Sequence, residues 1–428
     1  FRARHTDIMA DDLPVRSEDP SAVSMTNGEV DSEDWTSFPK VELHVHLDGA
    51  FDLSLLWSFV DLSALPADVE MAWDPPRTFP VRDPVAACKD EDDYKRLITC
   101  KGKQSLHEML KCFETFLPTV RGRLDVIERL ALTFCERQAK TCIIYTEVRY
   151  SPHLLADGGM MNGTGTAGEV TARQVVDAVT AGLRAGCELY GIVVNQILCA
   201  IAFRPEWADE VVDIAVECKG SASCAVVGVD LAASEHVLDK DDPGFAPHKA
   251  AFVRARSLGL GVTIHAGEGT DSGHVLTALT EFHAQRIGHG YALALDPQML
   301  AQCKGMGEVH FETCPTSSFD TGAWVSAVSG SDDWSGHPIR IMCDAGLSVS
   351  ISSDDPAVFD TGLDEEYSLA HTKMGFSRDE LVTMTLDAAM ASFASPEEKL
   401  RVCELIRSRS RNPLQPERLD SEASVTVA

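Results

Sequence analysis

Eight short apolar or β-branched runs, separated by longer stretches of helical periodicity, restrict this chain more than any other feature. The runs fall at residues 41–47, 142–149, 192–200, 225–231, 261–265, 286–289, 309–313 and 347–352. Most lack a clean alternation of apolar and polar residues, as expected of strands that are covered on both faces. Between them, 171–190 and 246–258 carry apolar residues at helical spacing. Ser395-Pro396-Glu397-Glu398 supplies an N-cap, a first-turn proline and a capping-box glutamate. Strands that alternate with helices make a parallel α/β protein, either a closed (β/α)8 barrel or a doubly wound sheet. No GxGxxG follows the first strand, which weighs against a dinucleotide-binding sheet.

The stretch 51–136 is too long for one crossover, so extra helices are expected after the first strand. It holds a proline-rich, charged loop at 74–93, part of a longer insertion over 74–103. There follows a helical segment in which Met109, Leu110, Phe113 and Phe116 share one face. Such a face is either ordinary core or the wall of a pocket. Residues 1–36 and 412–428 are polar and poor in large apolar side chains. They are expected to be disordered tails around one domain spanning 37–411.

Composition narrows the partners. A formal net charge of −29 disfavours binding to nucleic acid or to anionic membranes. No apolar run of about 18 residues predicts a transmembrane helix, and residues 1–30 show no apolar core of a secretory signal. Thirteen cysteines, an odd number without paired spacing, suit buried free thiols in a reducing compartment. The expectation is a cytoplasmic protein, monomeric, with a small-molecule substrate. The sequon Asn162-Gly163-Thr164 then reads as a loop coincidence.

The chemistry gathers at the ends of the predicted strands. His44-Val45-His46 closes the first run and is followed by Asp48; residues two apart on a strand point to the same side. His265-Ala266-Gly267-Glu268 closes the fifth run, Gly288-His289-Gly290 the sixth and Ser353-Asp354-Asp355-Pro356 the eighth. Singly, each is explained by a structural cap or a buried hydrogen-bonded group; four together at strand ends are not a packing pattern. Three imidazoles and a carboxylate with room for water describe a catalytic zinc site. Zinc makes hydroxide available near neutral pH, and the remaining Glu and His can move protons.

With Lys40-Val41-Glu42-Leu43-His44-Val45-His46-Leu47-Asp48-Gly49 and Glu147-Val148-Arg149-Tyr150-Ser151-Pro152-His153, these motifs resemble the adenosine deaminase family, in order, from about residue 39 to 411. The resemblance implies a (β/α)8 TIM-type barrel with one Zn²⁺ per chain, hydrolysing adenosine and 2′-deoxyadenosine to the inosines and ammonia in purine catabolism. His44, His46, His265 and Asp354 would ligate zinc. Glu268 would protonate purine N-1, and His289 would orient the attacking hydroxide and accept its proton with help from Asp354. Asp355 would bind N-7, Asp48 and His46 the 5′-hydroxyl, and the backbone N–H of Ala233 N-3. At 233 the family pattern places glycine, and at Met109 an aromatic residue. Deaminases of adenine, AMP or N6-methyl-AMP are the near alternatives; Asp48 would repel a 5′-phosphate and so favours a nucleoside. The Pro-Cys-x-x-Cys of the cytidine-deaminase type is absent.

Overall fold

The computed structural model describes residues 34–71, 77–102, 105–156, 170–220, 224–324 and 333–411. Its strands are β1 (Lys40–His46), β2 (Asp68–Met71), β3 (Arg77–Pro80), β4 (Ile143–Tyr150), β5 (Val193–Ile201), β6 (Val226–Ala232), β7 (Gly261–Ala266), β8 (Arg286–His289), β9 (His310–Thr313) and β10 (Ser348–Ile351). β2 and β3 form an antiparallel hairpin. The other eight form one parallel sheet in the order β1-β4-β5-β6-β7-β8-β9-β10. Each expected run is present within a residue or two, because strands buried on both faces must be apolar along their length.

The two edges of that sheet meet just beyond β10. Val45 bridges Asp354 in parallel, the His46 N–H donates to the Asp354 carbonyl (2.8 Å), and the Asp354 N–H donates to the His44 carbonyl (3.0 Å). Helices lie between successive strands, so the arrangement is a (β/α)8 TIM-type barrel rather than a doubly wound sheet. The barrel seam therefore closes through residues of the motifs at its C-terminal rim.

After β1 come the expected extra helices, Leu53–Ser58, Arg82–Ala87, Glu91–Ile98, Leu106–Val120 and Leu124–Lys140. The stretch 74–93 is less of a loop than its composition suggests. Residues 77–80 pair as β3, and Asp90 caps Glu91–Ile98 by accepting from the Asp93 N–H, with Glu91, Asp92 and Asp93 in the first turn. The charges that made this segment look irregular are start signals of a short helix. Trp35 and Phe38 pack edge-on at 5.3 Å, and both lie against Tyr367. Packed structure thus begins ahead of residue 37. The remainder of both expected tails, part of the 74–103 insertion, and Asn162-Gly163-Thr164 lie outside the described residues. No helix among the described residues is long and apolar enough to cross a membrane.

The barrel interior is charged as well as apolar. Glu312 on β9 lies 2.5 Å from Arg149 Nη2 and 2.6 Å from Arg286 Nε, while Arg286 Nη1 reaches Glu147 at 2.5 Å. All four are buried. Burial pushes the Glu312 carboxyl up, but Arg149 and Arg286 outweigh it and hold the group well below the usual range. This array forms the floor beneath the rim.

Candidate active site

β1 delivers His44 and His46 with ring centroids 5.5 Å apart. β7 delivers His265, β8 ends at His289, and the residues after β10 bring Asp354 across the seam. Among the described residues, His44, His265, His289 and Asp354 offer ligand atoms that all lie within 4.8 Å of one another. His46 stands beside that quartet, its Nε2 3.3 Å from His265 Nε2 and 3.5 Å from Asp354 Oδ1. The four expected ligands are thus together, and His289 shares their space.

The ring orientations test whether a metal fits. His44 Nδ1 lies 3.0 Å from Glu312 Oε2, which leaves Nε2 buried, without a hydrogen-bond partner among the described residues, and 3.2 Å from Asp354 Oδ1. His265 Nδ1 is likewise held by Asp230, at 3.2 and 3.1 Å from its two oxygens. A carboxylate behind each imidazole, with the far nitrogen turned to a common point, is how metal-binding histidines are oriented. Burial lowers His265, but Asp230 outweighs it and holds the ring up to about 9; a metal at Nε2 would displace a proton. The residues fit a divalent ion.

The remaining acids are pushed the other way. Burial, then the charges of Asp354 and Glu235, raise Glu268 to about 8, so it holds its proton at neutral pH. Burial raises Asp48 to about 7. Burial, with Asp354 and Asp48, keeps Asp355 well above the carboxylate range. Asp354 goes down despite burial, because His44 and its neighbours favour the anion. His289 is driven well below its ordinary value by burial, so its ring is neutral. Its Nε2 lies 3.6 Å from Glu268 Oε2 and its Nδ1 3.4 Å from the Tyr291 hydroxyl. One cavity thus holds a protonated carboxyl facing a neutral imidazole.

His46, Asp48, Ala233, His265, Glu268, His289, Asp354 and Asp355 all line that cavity. Apolar residues complete its lining, among them Met109 and Phe113 of Leu106–Val120, Leu154 and Phe203. The helical face noted in the sequence divides its work: Phe116 packs on Phe51 at 6.4 Å, while Met109 and Phe113 line the cavity. Three of the site's residues have strained backbones. Ala233, His289 and Asp354 have φ of 84°, 67° and 61°, in the left-handed region.

Four residues that hold the site were not singled out as site residues in the sequence: Glu312, Asp230, Ser317 and Glu235. Ser317 donates to Asp354 Oδ2 at 2.7 Å. Glu312 and Asp230 had a visible signal, since a charged residue inside an apolar strand needs a buried partner. Ser317 and Glu235 lie on connecting segments and had none.

A parallel barrel carrying this histidine–aspartate cluster at its rim is the architecture of a metal-dependent amidohydrolase. The Adenosine deaminase family model matches residues 81–409. An adenosine deaminase of Xenopus tropicalis is 35% identical over 84% of this chain and 92% of that protein, and one of Bos taurus is 32% identical over 86% and 93%. Among solved structures, a zinc-bound amidohydrolase from Burkholderia ambifaria shares the fold, with a TM-score of 0.69 and 21% identity over 92% of this chain and 96% of that one. The chain belongs to the adenosine deaminase family, and it is a hydrolytic deaminase.

Proposed function

We propose that this enzyme hydrolyses adenosine and 2′-deoxyadenosine to the corresponding inosines and ammonia, with one Zn²⁺ held by His44, His46, His265 and Asp354. The observation that carries the reading is the approach of Glu268 Oε2 to His289 Nε2 at 3.6 Å beside the histidine–aspartate cluster, with burial raising Glu268 and lowering His289. A zinc ion held there supplies Lewis acidity and lowers the pKa of water toward about 7.

The chain's own residues do the rest. Glu268 donates its proton to purine N-1, which makes C-6 electron-poor. His289, neutral and held at Nδ1 by Tyr291, takes a proton from the attacking water. Asp354, ionised and fixed by Ser317, supports the charge that develops on His289. Asp355, protonated, donates to N-7, which as a lone-pair acceptor needs a donor. Its Oδ1, like Oδ1 of Asp48, is buried without a hydrogen-bond partner among the described residues, and it lies against Gly49, where a Cβ would come within 1.9 Å of it. The Ala233 N–H meets N-3, and Asp48 with His46 meets the 5′-hydroxyl. The apolar wall of Met109 and Phe113 excludes water from the base.

We place the enzyme in the cytoplasm as a monomer. In support, all thirteen cysteines are free and nine are buried, and the large exposed apolar residues are scattered.

Purified protein should be assayed by ultraviolet absorbance with adenosine, adenine and AMP side by side, with metal counted by elemental analysis. We expect one zinc per chain and adenosine preferred over AMP by at least about a hundredfold, the scale of a buried like charge. His44→Ala should lose metal and activity together. Preference for AMP would move the enzyme to the nucleotide branch, and full activity without metal would overturn the mechanism.

A further inference from the structure

The turn that carries Glu268 is not self-supporting. Gly267 has φ +73°, and a Cβ there would lie 2.8 Å from Val275 Cγ2, so the chain reverses sharply straight after β7. The Gly267 carbonyl is taken by the Ala292 N–H at 2.9 Å. The two successive N–H groups of Gly267 and Glu268 point to the loop after β6, where a single side chain receives both. Glu235 Oε2 accepts from Gly267 (2.9 Å) and Glu235 Oε1 from Glu268 (2.7 Å), and the Thr270 hydroxyl also donates to Oε2.

Glu235 is buried. Among the described residues, the basic side chain within 4.0 Å of it is His274, whose Nδ1 is 4.0 Å from Oε2. That ring is itself held between Thr270 (2.8 Å) and Asp239 (2.9 Å). Backbone N–H groups thus stabilise the Glu235 charge, as two charge-assisted bonds in a fixed fork. We propose that Glu235 is a positioning residue for Glu268, clamping the backbone of the turn so that the donor's carboxyl faces purine N-1. The inference rests on the deaminase reading above.

The clamp has an electrostatic side. Glu268 faces Asp354, Asp355, His265, His289, Tyr291 and Cys314 from the rim and Glu235 from the β6 loop. Burial is the largest influence raising Glu268; Asp354 follows, then Glu235. Glu235 therefore holds the donor in place and helps keep its proton on.

Glu235→Gln keeps the size but offers one oxygen in place of two and no charge. We expect kcat to fall about tenfold with KM within about twofold, the pattern of an interaction used in the transition state. The alkaline limb of kcat against pH should move down by about half a unit. In metal-loaded wild type and variant, the amides of Gly267 and Glu268 should exchange with deuterium at least about tenfold faster in the variant. Glu235→Asp, a methylene short but still charged, should recover the pH limb more than kcat. A Gln variant with wild-type kcat, pH limb and amide exchange overturns the proposal. So does one that loses thermal stability alone. If wild type deaminates none of adenosine, adenine and AMP, the deaminase reading fails while amide exchange still decides the clamp.

Discussion

At the scale of the residue, the site rests on conformations that most side chains avoid. Ala233 has φ +84° where the family pattern places glycine, and a left-handed L-residue costs about 1–2 kcal/mol. Ala233→Gly relieves that strain but gives the unfolded chain about 0.4–1 kcal/mol more entropy, so stability should rise by no more than about 1.6 kcal/mol. Ala233 lines the cavity, where its methyl would stand beside a bound base. KM for adenosine should therefore fall with kcat nearly unchanged, the mark of altered uniform binding; a KM that stays or rises would mean the methyl crowds nothing. Glu268→Gln should lower kcat by about 10² or more while zinc content and ground-state analogue binding persist; loss of zinc would make Glu268 a ligand instead. His44, His46, His265, Glu268, His289, Asp354 and Asp355 were legible because polar residues that end apolar strands stand out. The carboxylates behind the histidines were legible only as charges in need of a buried partner; which ring nitrogen meets Glu312 or Asp230 depends on strand register, which one sequence does not reveal.

At the scale of the element, the barrel strands were readable because double-sided burial demands unbroken apolar runs. The hairpin β2–β3 and the helix Glu91–Ile98 were not, since each is short and takes its stability from neighbours. Small elements on the rim matter all the same. The helix Pro338–Asp344 is capped by His337, whose Nδ1 accepts from the Ile339 N–H at 3.2 Å. Its Nε2 must then carry the proton and donate to Ser318 Oγ at 2.9 Å, one residue from the Ser317 that holds Asp354. The ring stacks on Trp334 with an interplanar angle of 4°, and burial lowers it to about 3. The native ring is neutral, whereas the unfolded chain binds a proton below about pH 6.5. This contribution is therefore complete above about pH 6.5 and is lost as pH falls toward 3, by up to about 1.4 kcal/mol per pH unit. His337→Asn keeps a cap acceptor without titrating. Urea unfolding from about pH 7 to 4.5 should show a slope shallower by about one proton; identical slopes would mean that His337 is already charged or already exposed.

At the scale of the whole molecule, charge selects among substrates that the cavity alone would admit. The chain carries a formal −29; at the cavity wall Asp354 is ionised and Asp48, raised to about 7, is partly so, whereas Glu268 and Asp355 hold their protons. A neutral nucleoside crosses that field freely, whereas a nucleotide with about two negative charges is opposed twice. The long-range repulsion lowers its concentration at the mouth, and Asp48 opposes the 5′-phosphate inside. Only the first is screened by salt. The Debye length shrinks from about 30 Å at 0.01 M to about 8 Å at 0.15 M, which silences distant charges but not a buried one in contact. Raising ionic strength across that range should therefore increase kcat/KM for AMP at least about threefold while leaving adenosine within about 1.5-fold. AMP should still trail adenosine at the highest salt, and Asp48→Asn should close part of that residual gap without changing the salt response. A flat AMP response would show that the net charge does not reach the cavity mouth; an Asp48→Asn variant with an unchanged gap would show that the 5′-phosphate never meets residue 48.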